Sequence, residues 1–137
     1  MRKIFVALFL GALTLGVCGC GGASQAKQET PQSAAAFRRV SSDEAAQMMQ
    51  TEKNYIILDV RTAKEYAEGH IPQAINVPNE TIGGTAPQQL PDKEQLIFVY
   101  CRSGARSMQA SEKLAGLGYR NIVEMGGIKD WHGDVVK

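Results

Sequence analysis

Residues 96–118 read LIFVYCRSGARSMQASEKLAGLG, in which an apolar run, a short polar loop and a helical pattern follow one another directly. Residues 96–100 have the length and the continuous hydrophobicity typical of a strand buried on both faces of a parallel sheet. The spacing of apolar residues over 107–117 predicts a helix, and Gly118 ends it. The segment therefore predicts a strand, a loop and a helix in the order that builds a parallel α/β sheet.

The same alternation extends over the rest of the chain from about residue 37. Further strands are predicted at residues 55–60, 74–77 and 122–124. Further helices are predicted at 45–49, after the capping run Ser41-Ser42-Asp43-Glu44, and at 62–68, before Gly69. A last helical turn follows Gly126-Gly127. Strands that alternate with helices imply a parallel α/β sheet with helices on both faces.

Length and charge limit the function classes that are open to the chain. Its 137 residues, 44% of them hydrophobic and 21% charged, suit one small domain with an appendage. Lys and Arg number 15 and Asp and Glu 14, so the chain lacks the strong basic field that binds nucleic acid or an acidic membrane surface. We therefore expect no nucleic-acid partner.

The first twenty residues follow the pattern of a secretory signal peptide. Arg2 and Lys3 precede an apolar run over residues 4–17, and small residues follow it. The run is shorter than the roughly 18 apolar residues that a membrane-spanning helix needs. We expect residues 1–19 to be a cleaved signal and not a permanent span.

The stretch Val17-Cys18-Gly19-Cys20 resembles a bacterial lipobox, in which cleavage precedes the cysteine that receives the lipid. Gly19 before Cys20 fits the pattern, so we expect Cys20 to be the lipid anchor. A cut before Cys18 is the alternative, although Val17 fits the small-residue site worse. Several acyl chains, at about 0.8 kcal/mol per buried methylene, would hold the protein on a membrane.

Residues 20–36 are predicted to be a flexible tether, because no large apolar residue occurs in them, and residues 37–137 to be the folded domain. The expected location is the cell envelope, on its periplasmic or extracellular face. Cleavage before Cys20 would leave Cys101 as the one unmodified cysteine in a compartment that favours disulfides. A lone thiol there calls for a functional explanation.

The loop over residues 101–107, CRSGARS, joins the end of a predicted buried strand to the start of a helix. Ligands of open α/β sheets bind at that edge, and free amides at a helix N-terminus attract anions. Gly104 can adopt a positive φ, so the loop can curl until its amides converge on the sulfur of Cys101. Such hydrogen bonds would favour the nucleophilic thiolate without a histidine base.

This loop closely resembles the active-site loop of rhodanese-like sulfurtransferases of the thiosulfate type. The resemblance runs from about Val40 to Trp131. It includes these stretches in order: Leu58-Asp59-Val60-Arg61, Glu65-Tyr66, Gly69-His70-Ile71-Pro72, Ala74-Ile75-Asn76-Val77-Pro78 and Gly126-Gly127-Ile128. It implies the rhodanese fold, with a central, mainly parallel five-stranded sheet flanked by helices on both faces.

The resemblance also implies the chemistry. Cys101 would be the catalytic residue and carry sulfur as a persulfide. The substrate cradle would be Arg102, Ser103, Gly104, Ala105, Arg106 and Ser107, with Arg106 holding the anion and Arg102 helping to receive thiosulfate. The expected partners are a sulfur donor such as thiosulfate, and a thiol, a cyanide-like molecule or a protein as acceptor. No metal or organic cofactor is required.

Two alternatives accompany this reading. The domain could be a sulfur-relay or binding module whose persulfide matters only to a docked protein, with little turnover on small molecules. A phosphatase or arsenate reductase is disfavoured, because related phosphatases place five residues between their cysteine and arginine, whereas four separate Cys101 from Arg106 here.

Several other polar residues are interpreted as structural. His70 lies in a loop whose family role is structural, His132 has no partner visible in the sequence, and two isolated histidines are weak support for a metal site. Arg61 is expected to pair with Glu65 one helical turn on, with Asp59 shaping the pocket edge. Trp131 is predicted to be a core or pocket-wall residue.

Overall fold

A computed structural model describes residues 37–137 of the chain. The predicted signal peptide, the tether and Cys20 fall in residues 1–36 and lie outside the described residues. The elements are, in chain order, β1 (Arg38–Arg39), α1 (Ser42–Thr51), β2 (Tyr55–Asp59), α2 (Ala63–Glu68), β3 (Ile75–Asn76), β4 (Leu96–Cys101), α3 (Ala105–Gly116) and β5 (Ile122–Gly127). Short 3₁₀ turns occupy Asn79–Thr81 and Ile128–Asp130.

The five strands form one sheet in the order β1-β5-β4-β2-β3, and every neighbouring pair is parallel. The predicted fold class is therefore confirmed. The sequence pattern missed β1, since two arginines carry no apolar alternation, yet their backbone pairs with Val123 and Glu124 of β5. It also ended β5 three residues early and began α3 two residues late.

Side chains alternate between two apolar clusters, one on each face of the sheet. The first cluster holds Ile97, Val99 and Cys101 of β4 and is covered by α3 through Ala110 and Leu114. The second holds Phe98 and Tyr100 of β4 and is covered by α1, with Ala45 fully buried. This alternation places Cys101 on the face that α3 covers. Within residues 37–137, the chain forms no helix of the length and apolarity that crossing a membrane requires.

The two early helices begin at side-chain caps. Ser41 accepts a hydrogen bond from the Glu44 amide at 3.1 Å, as the capping run predicted. Thr62 and Glu65 form a capping box at the start of α2. These side chains satisfy backbone amides at the N-termini of α1 and α2.

A buried ion pair ties the end of β2 to the second apolar cluster. Asp59 is fully buried and accepts from Arg61 at 2.6 Å and from the Tyr100 hydroxyl at 2.7 Å. Arg61 also donates to the carbonyl of Gly69 at 2.7 Å. The predicted pairing of Arg61 with Glu65 is therefore wrong, because the nearer Asp59 carboxylate faces the guanidinium inside the protein.

We expect Asp59→Asn to lower the free energy of unfolding by about 3–5 kcal/mol, because it leaves the Arg61 guanidinium buried without a counter-charge. Urea unfolding at pH 7 measures this. The matched control is Glu94→Gln, which breaks the exposed pair with Arg120 and should cost less than about 1 kcal/mol. Equal losses in the two variants would contradict the structural role of Asp59.

Candidate active site

Cys101 is the last residue of β4, and the chain turns through residues 102–104 directly into α3. Gly104 makes the turn with a φ of +102°, a left-handed conformation that a side chain would disfavour. The turn brings the Gly104 amide to 3.0 Å from the Cys101 Sγ, to which it donates. The Ser107 Oγ, in the first turn of α3, lies 3.5 Å from the same sulfur.

Two opposing effects act on the pKa of Cys101. Burial raises it, because the side chain is only 1% exposed and the charged sulfur would lose contact with water. Hydrogen bonds lower it, from the Ser107 hydroxyl and from the backbone amides of Ser107, Gly104 and Ser103. The hydrogen bonds outweigh burial, so the pKa of Cys101 lies below its ordinary value. Although the residue belongs to an apolar cluster, its sulfur faces polar atoms.

The guanidinium of Arg106 lies beside the loop and is held there by α2. It donates to both carboxylate oxygens of Glu65, at 2.7 and 2.8 Å. This contact lowers the pKa of Glu65 to about 2, and it also raises the pKa of Arg106. A negative charge on Cys101 raises the pKa of Arg106 further, so the guanidinium lies within electrostatic reach of the sulfur.

The remaining predicted cradle residues divide by exposure. Arg102, Ser103 and Ala105 are exposed at the carboxyl edge of the sheet, whereas the Ser107 side chain is fully buried. The loop is held by the 3₁₀ turn that follows β5, since the Lys129 amide donates to the Arg102 carbonyl at 3.3 Å. The structure thus brings the predicted residues 101–107 together, with amides of the loop toward the sulfur and three of the residues exposed to solvent.

An irregularity in β5 shapes the other side of the site. Val99 pairs with Glu124 and Cys101 with Gly127, so three steps along β5 match two along β4. The extra residue is a β-bulge, a feature frequent beside active sites. It sets Gly127 directly against the loop and turns the Gly126 amide onto the Glu124 carboxylate at 2.9 Å.

Two acidic residues of the site were missed as functional candidates. Helical spacing predicts that Glu65 pairs with Arg61, and no spacing rule links it to Arg106, which lies 41 residues further along the chain. Glu124 was read as an ordinary strand residue, yet its side chain is 2% exposed and accepts from Ser107 at 2.6 Å. The one available signal was a charged residue between the apolar Val123 and Met125 of a buried strand.

The residues interpreted as structural lie away from the sulfur chemistry. His70 stacks on Tyr66, with ring centroids 3.8 Å apart, and His132 is an exposed partner of Asp43 at 2.9 Å. Trp131 lines a groove of about 350 Å³ beside α1, as a pocket-wall residue would. Within the described range, no three His, Cys, Asp or Glu residues lie close enough together to hold a metal ion.

The loop, the bulge and the sheet order can be compared with known proteins. The family model described as "Rhodanese-like domain" matches residues 41–134. The chain belongs to the rhodanese-like family. The match covers the described domain from the cap of α1 to the turn after Trp131.

Curated relatives of this rhodanese domain carry sulfurtransferase names. The chain is 37% identical over 73 residues to thiosulfate sulfurtransferase PspE of Escherichia coli, covering 53% of this chain and 70% of that protein. It is 35% identical over 93 residues to a sulfurtransferase of Allochromatium vinosum, covering 67% and 85%. It is 38% identical over 104 residues to the adenylyltransferase and sulfurtransferase UBA4 of Candida albicans, where the match covers 71% of this chain but spans 24% of that longer protein.

Solved structures agree with the fold. A structure described as a rhodanese with anions from E. coli has a TM-score of 0.56 and 35% identity, covering 61% of this chain and 98% of that one. A rhodanese-like domain protein from Staphylococcus aureus has a TM-score of 0.59 and 33% identity, covering 71% and 92%. The fold of the domain is thus shared with solved members of the family.

We expect Gly127→Ala to disorder the active-site loop. A Cβ at this position would collide with the carbonyl of Arg102 and the Cα of Ser103, which are backbone atoms that cannot rotate away. Misplacing the sulfur and its amides should slow the reaction of Cys101 with iodoacetamide at pH 7 by on the order of 10- to 100-fold.

The control for this substitution is Gly116→Ala in α3, because a Cβ there meets no atom within 4 Å. Its Cys101 should react at the wild-type rate. Wild-type reactivity in Gly127→Ala would show that the contact between β5 and the loop does not position the thiol.

Proposed function

We propose that this protein is an enzyme that takes sulfane sulfur from thiosulfate or a related donor onto Cys101 as a persulfide. A thiol or a cyanide-like acceptor then removes it. The observation that carries the proposal is the hydrogen bond from the Gly104 amide to Sγ, at 3.0 Å, in a loop that lowers the pKa of Cys101. The name of the E. coli relative, thiosulfate sulfurtransferase, supports the choice of donor.

The proposed reaction has two displacements at sulfur. The Cys101 thiolate attacks the outer sulfur of thiosulfate, the sulfur–sulfur bond of the donor breaks, and sulfite leaves with the bonding electrons. The acceptor then attacks the outer sulfur of the persulfide and restores the thiolate. Both resting forms carry one negative charge at the loop, which the converging amides stabilise.

The surroundings of the loop suit an anionic donor. Arg102 is exposed at its rim, and the Arg106 guanidinium is 28% exposed while bound to Glu65. Because Glu65 neutralises Arg106 in this arrangement, Arg102 is the cation that a dianion would meet first. Arg106 would add its charge when the donor reaches the sulfur.

A relay module is the second candidate, and the burial of Cys101 favours it. A thiol only 1% exposed is poorly placed for rapid exchange with free small molecules. One relative, 26% identical, is named a putative sulfur carrier protein YrkF in Bacillus subtilis. In this reading the persulfide forms but is discharged mainly by a docked protein.

Incubation of the full-length protein with thiosulfate should add one sulfur atom to the peptide that contains Cys101, measured by mass spectrometry. Cys101→Ala should gain none, and Cys20→Ala should gain as much as wild type. Failure of wild type to gain sulfur from any sulfane donor would overturn both candidates. Loading followed by fast thiocyanate formation with cyanide supports the enzyme, whereas loading with slow discharge supports the relay.

We further propose that Cys20 carries a lipid and that residues 20–36 tether the domain to the cell envelope, on its periplasmic or extracellular face. The support is the signal-like pattern of residues 1–19 and the Gly19-Cys20 pair. The anchor would place the sulfur site close to, but clear of, a membrane surface.

Cys20→Ala is expected to move the protein from the membrane fraction to the soluble fraction, with Cys18→Ala as the matched control that stays on the membrane. Release by Cys18→Ala alone would assign the anchor to the earlier cysteine. Unchanged membrane association of both variants would refute lipidation.

A further inference from the structure

A chain of hydrogen bonds leads from the candidate nucleophile into the protein. The Cys101 thiol donates to the Ser107 Oγ at 3.5 Å, and the Ser107 hydroxyl donates to Glu124 Oε1 at 2.6 Å. Both Cys101 and Glu124 point to the face of the sheet that α3 covers, and Ser107 of α3 lies between them. We infer that Glu124 accepts the thiol proton of Cys101 through the Ser107 hydroxyl. This assignment rests on the proposed role of Cys101 and adds a proton path to it.

The single hydrogen of the Ser107 hydroxyl is the reason for the inference. Besides the sulfur, three oxygens compete for it, and the nearest is Glu124, followed by the carbonyls of Gly104 at 3.0 Å and Gly126 at 3.2 Å. While Glu124 is a carboxylate, it accepts the hydrogen bond from the Ser107 hydroxyl, so a lone pair of the Ser107 Oγ faces the sulfur. The hydroxyl can then accept from a thiol, and it can donate to the thiolate, the contact that lowers the pKa of Cys101, once Glu124 has taken up a proton.

Transfer of a proton from the Cys101 thiol toward Glu124 frees the Ser107 hydroxyl to donate to the sulfur. The S–H bond breaks, the proton passes to the Ser107 Oγ, and the original hydroxyl proton passes to Glu124 Oε1. Glu124 then donates to Ser107, and Ser107 donates to the thiolate, so every polar atom in the chain has a partner. The net charge of the buried group is unchanged, which avoids placing two anions together in the interior.

Other charged groups around this path come from several elements. Glu124 Oε2 accepts from Arg39 of β1 at 3.2 Å, and Oε1 also accepts from the Gly126 amide. Near the sulfur, the charged groups are Arg106 of α3, Glu65 of α2 and Glu80 of the first 3₁₀ turn, and Arg106 interacts with both carboxylates. None of Arg106, Glu65 and Glu80 hydrogen-bonds to the Cys101 sulfur, whose partners within residues 37–137 are the Ser107 hydroxyl and the Gly104 amide. Because Glu124 acts through Ser107, it is a positioning residue.

The pH profile of Cys101 alkylation distinguishes this role from a purely structural one. Iodoacetamide reacts with the thiolate, and its reaction with the Cys101 peptide of the full-length protein can be followed by mass spectrometry from pH 5 to 9. Internal proton transfer leaves the number of protons on the buried group unchanged, so the thiolate fraction of wild type should change little with pH in mildly acidic solution. Alkylation should therefore level off in mildly acidic solution.

Glu124→Gln and Ser107→Ala should each abolish this plateau. Their alkylation rates should fall about tenfold per pH unit below the thiol pKa, as expected of a thiol that exchanges its proton only with solvent. The matched control is Ser111→Ala, one turn further along α3. Its hydroxyl is also fully buried and has no hydrogen-bond partner within residues 37–137, so its profile should keep the plateau.

A profile of wild-type shape in either Glu124→Gln or Ser107→Ala would overturn the inference, as would the absence of a plateau in wild type. Should Glu124→Gln unfold because Arg39 loses its partner, Ser107→Ala decides alone, since it leaves Glu124 in place. Alkylation needs no sulfur donor. Normal loading from thiosulfate without the plateau would therefore refute the proton path alone, whereas a plateau without loading would refute the proposed function alone.

Discussion

The hydrogen bond from the Gly104 amide to the Cys101 sulfur is the interaction on which the site depends. It requires the left-handed turn at Gly104, and that turn starts α3 with its first amides directed at the end of β4. It also requires Gly127 to be without a side chain, because the loop backbone occupies that space. A sulfur buried in an apolar cluster can favour its anion only where the backbone bends in this way.

Three buried or half-buried carboxylates, Asp59, Glu65 and Glu124, are each paired with an arginine. Asp59 is balanced by Arg61 on the α1 side of the sheet, and Glu65 is balanced by Arg106 across the rim. Glu124 contacts Arg39, whose guanidinium is mostly exposed, so its neutralisation is weaker than that of the fully buried pair. A carboxylate with a weak partner on one oxygen and a serine hydroxyl on the other is suited to exchange a proton with that serine.

The sequence predicted the sheet, the helices and the loop because each has a local signature. Continuous apolar runs mark β2 and β4, Gly69 marks the end of α2, and Gly104 marks the turn after Cys101. It could not predict β1, because two arginines carry no apolar alternation, although their backbone pairs with Val123 and Glu124 of β5.

The acidic partners of Arg106 and Ser107 could not be predicted from local sequence patterns either. The contact between Glu65 and Arg106 joins residues 41 positions apart. The contact between Ser107 and Glu124 lies beside a bulge in β5, and the residue pattern of Ile122–Gly127 does not predict that bulge. The error over Arg61 has the same origin. Helical spacing favoured Glu65, whereas the tertiary structure brings Asp59 to the guanidinium inside the protein.

The burial of Cys101 and its proposed reactivity are reconciled by the length of a persulfide. A sulfur–sulfur bond is about 2 Å long, so in the proposed reaction the outer sulfur of a persulfide would lie that distance from Sγ. The first displacement would need an approach to a deeply placed thiolate, which would favour a small anionic donor. The second would take place nearer the rim if the outer sulfur points that way, and there Arg102 and Ser103 are exposed to a larger acceptor. A single buried cysteine can in this way accept sulfur from a small molecule and still deliver it to a protein, which makes the enzyme and the relay two uses of one geometry.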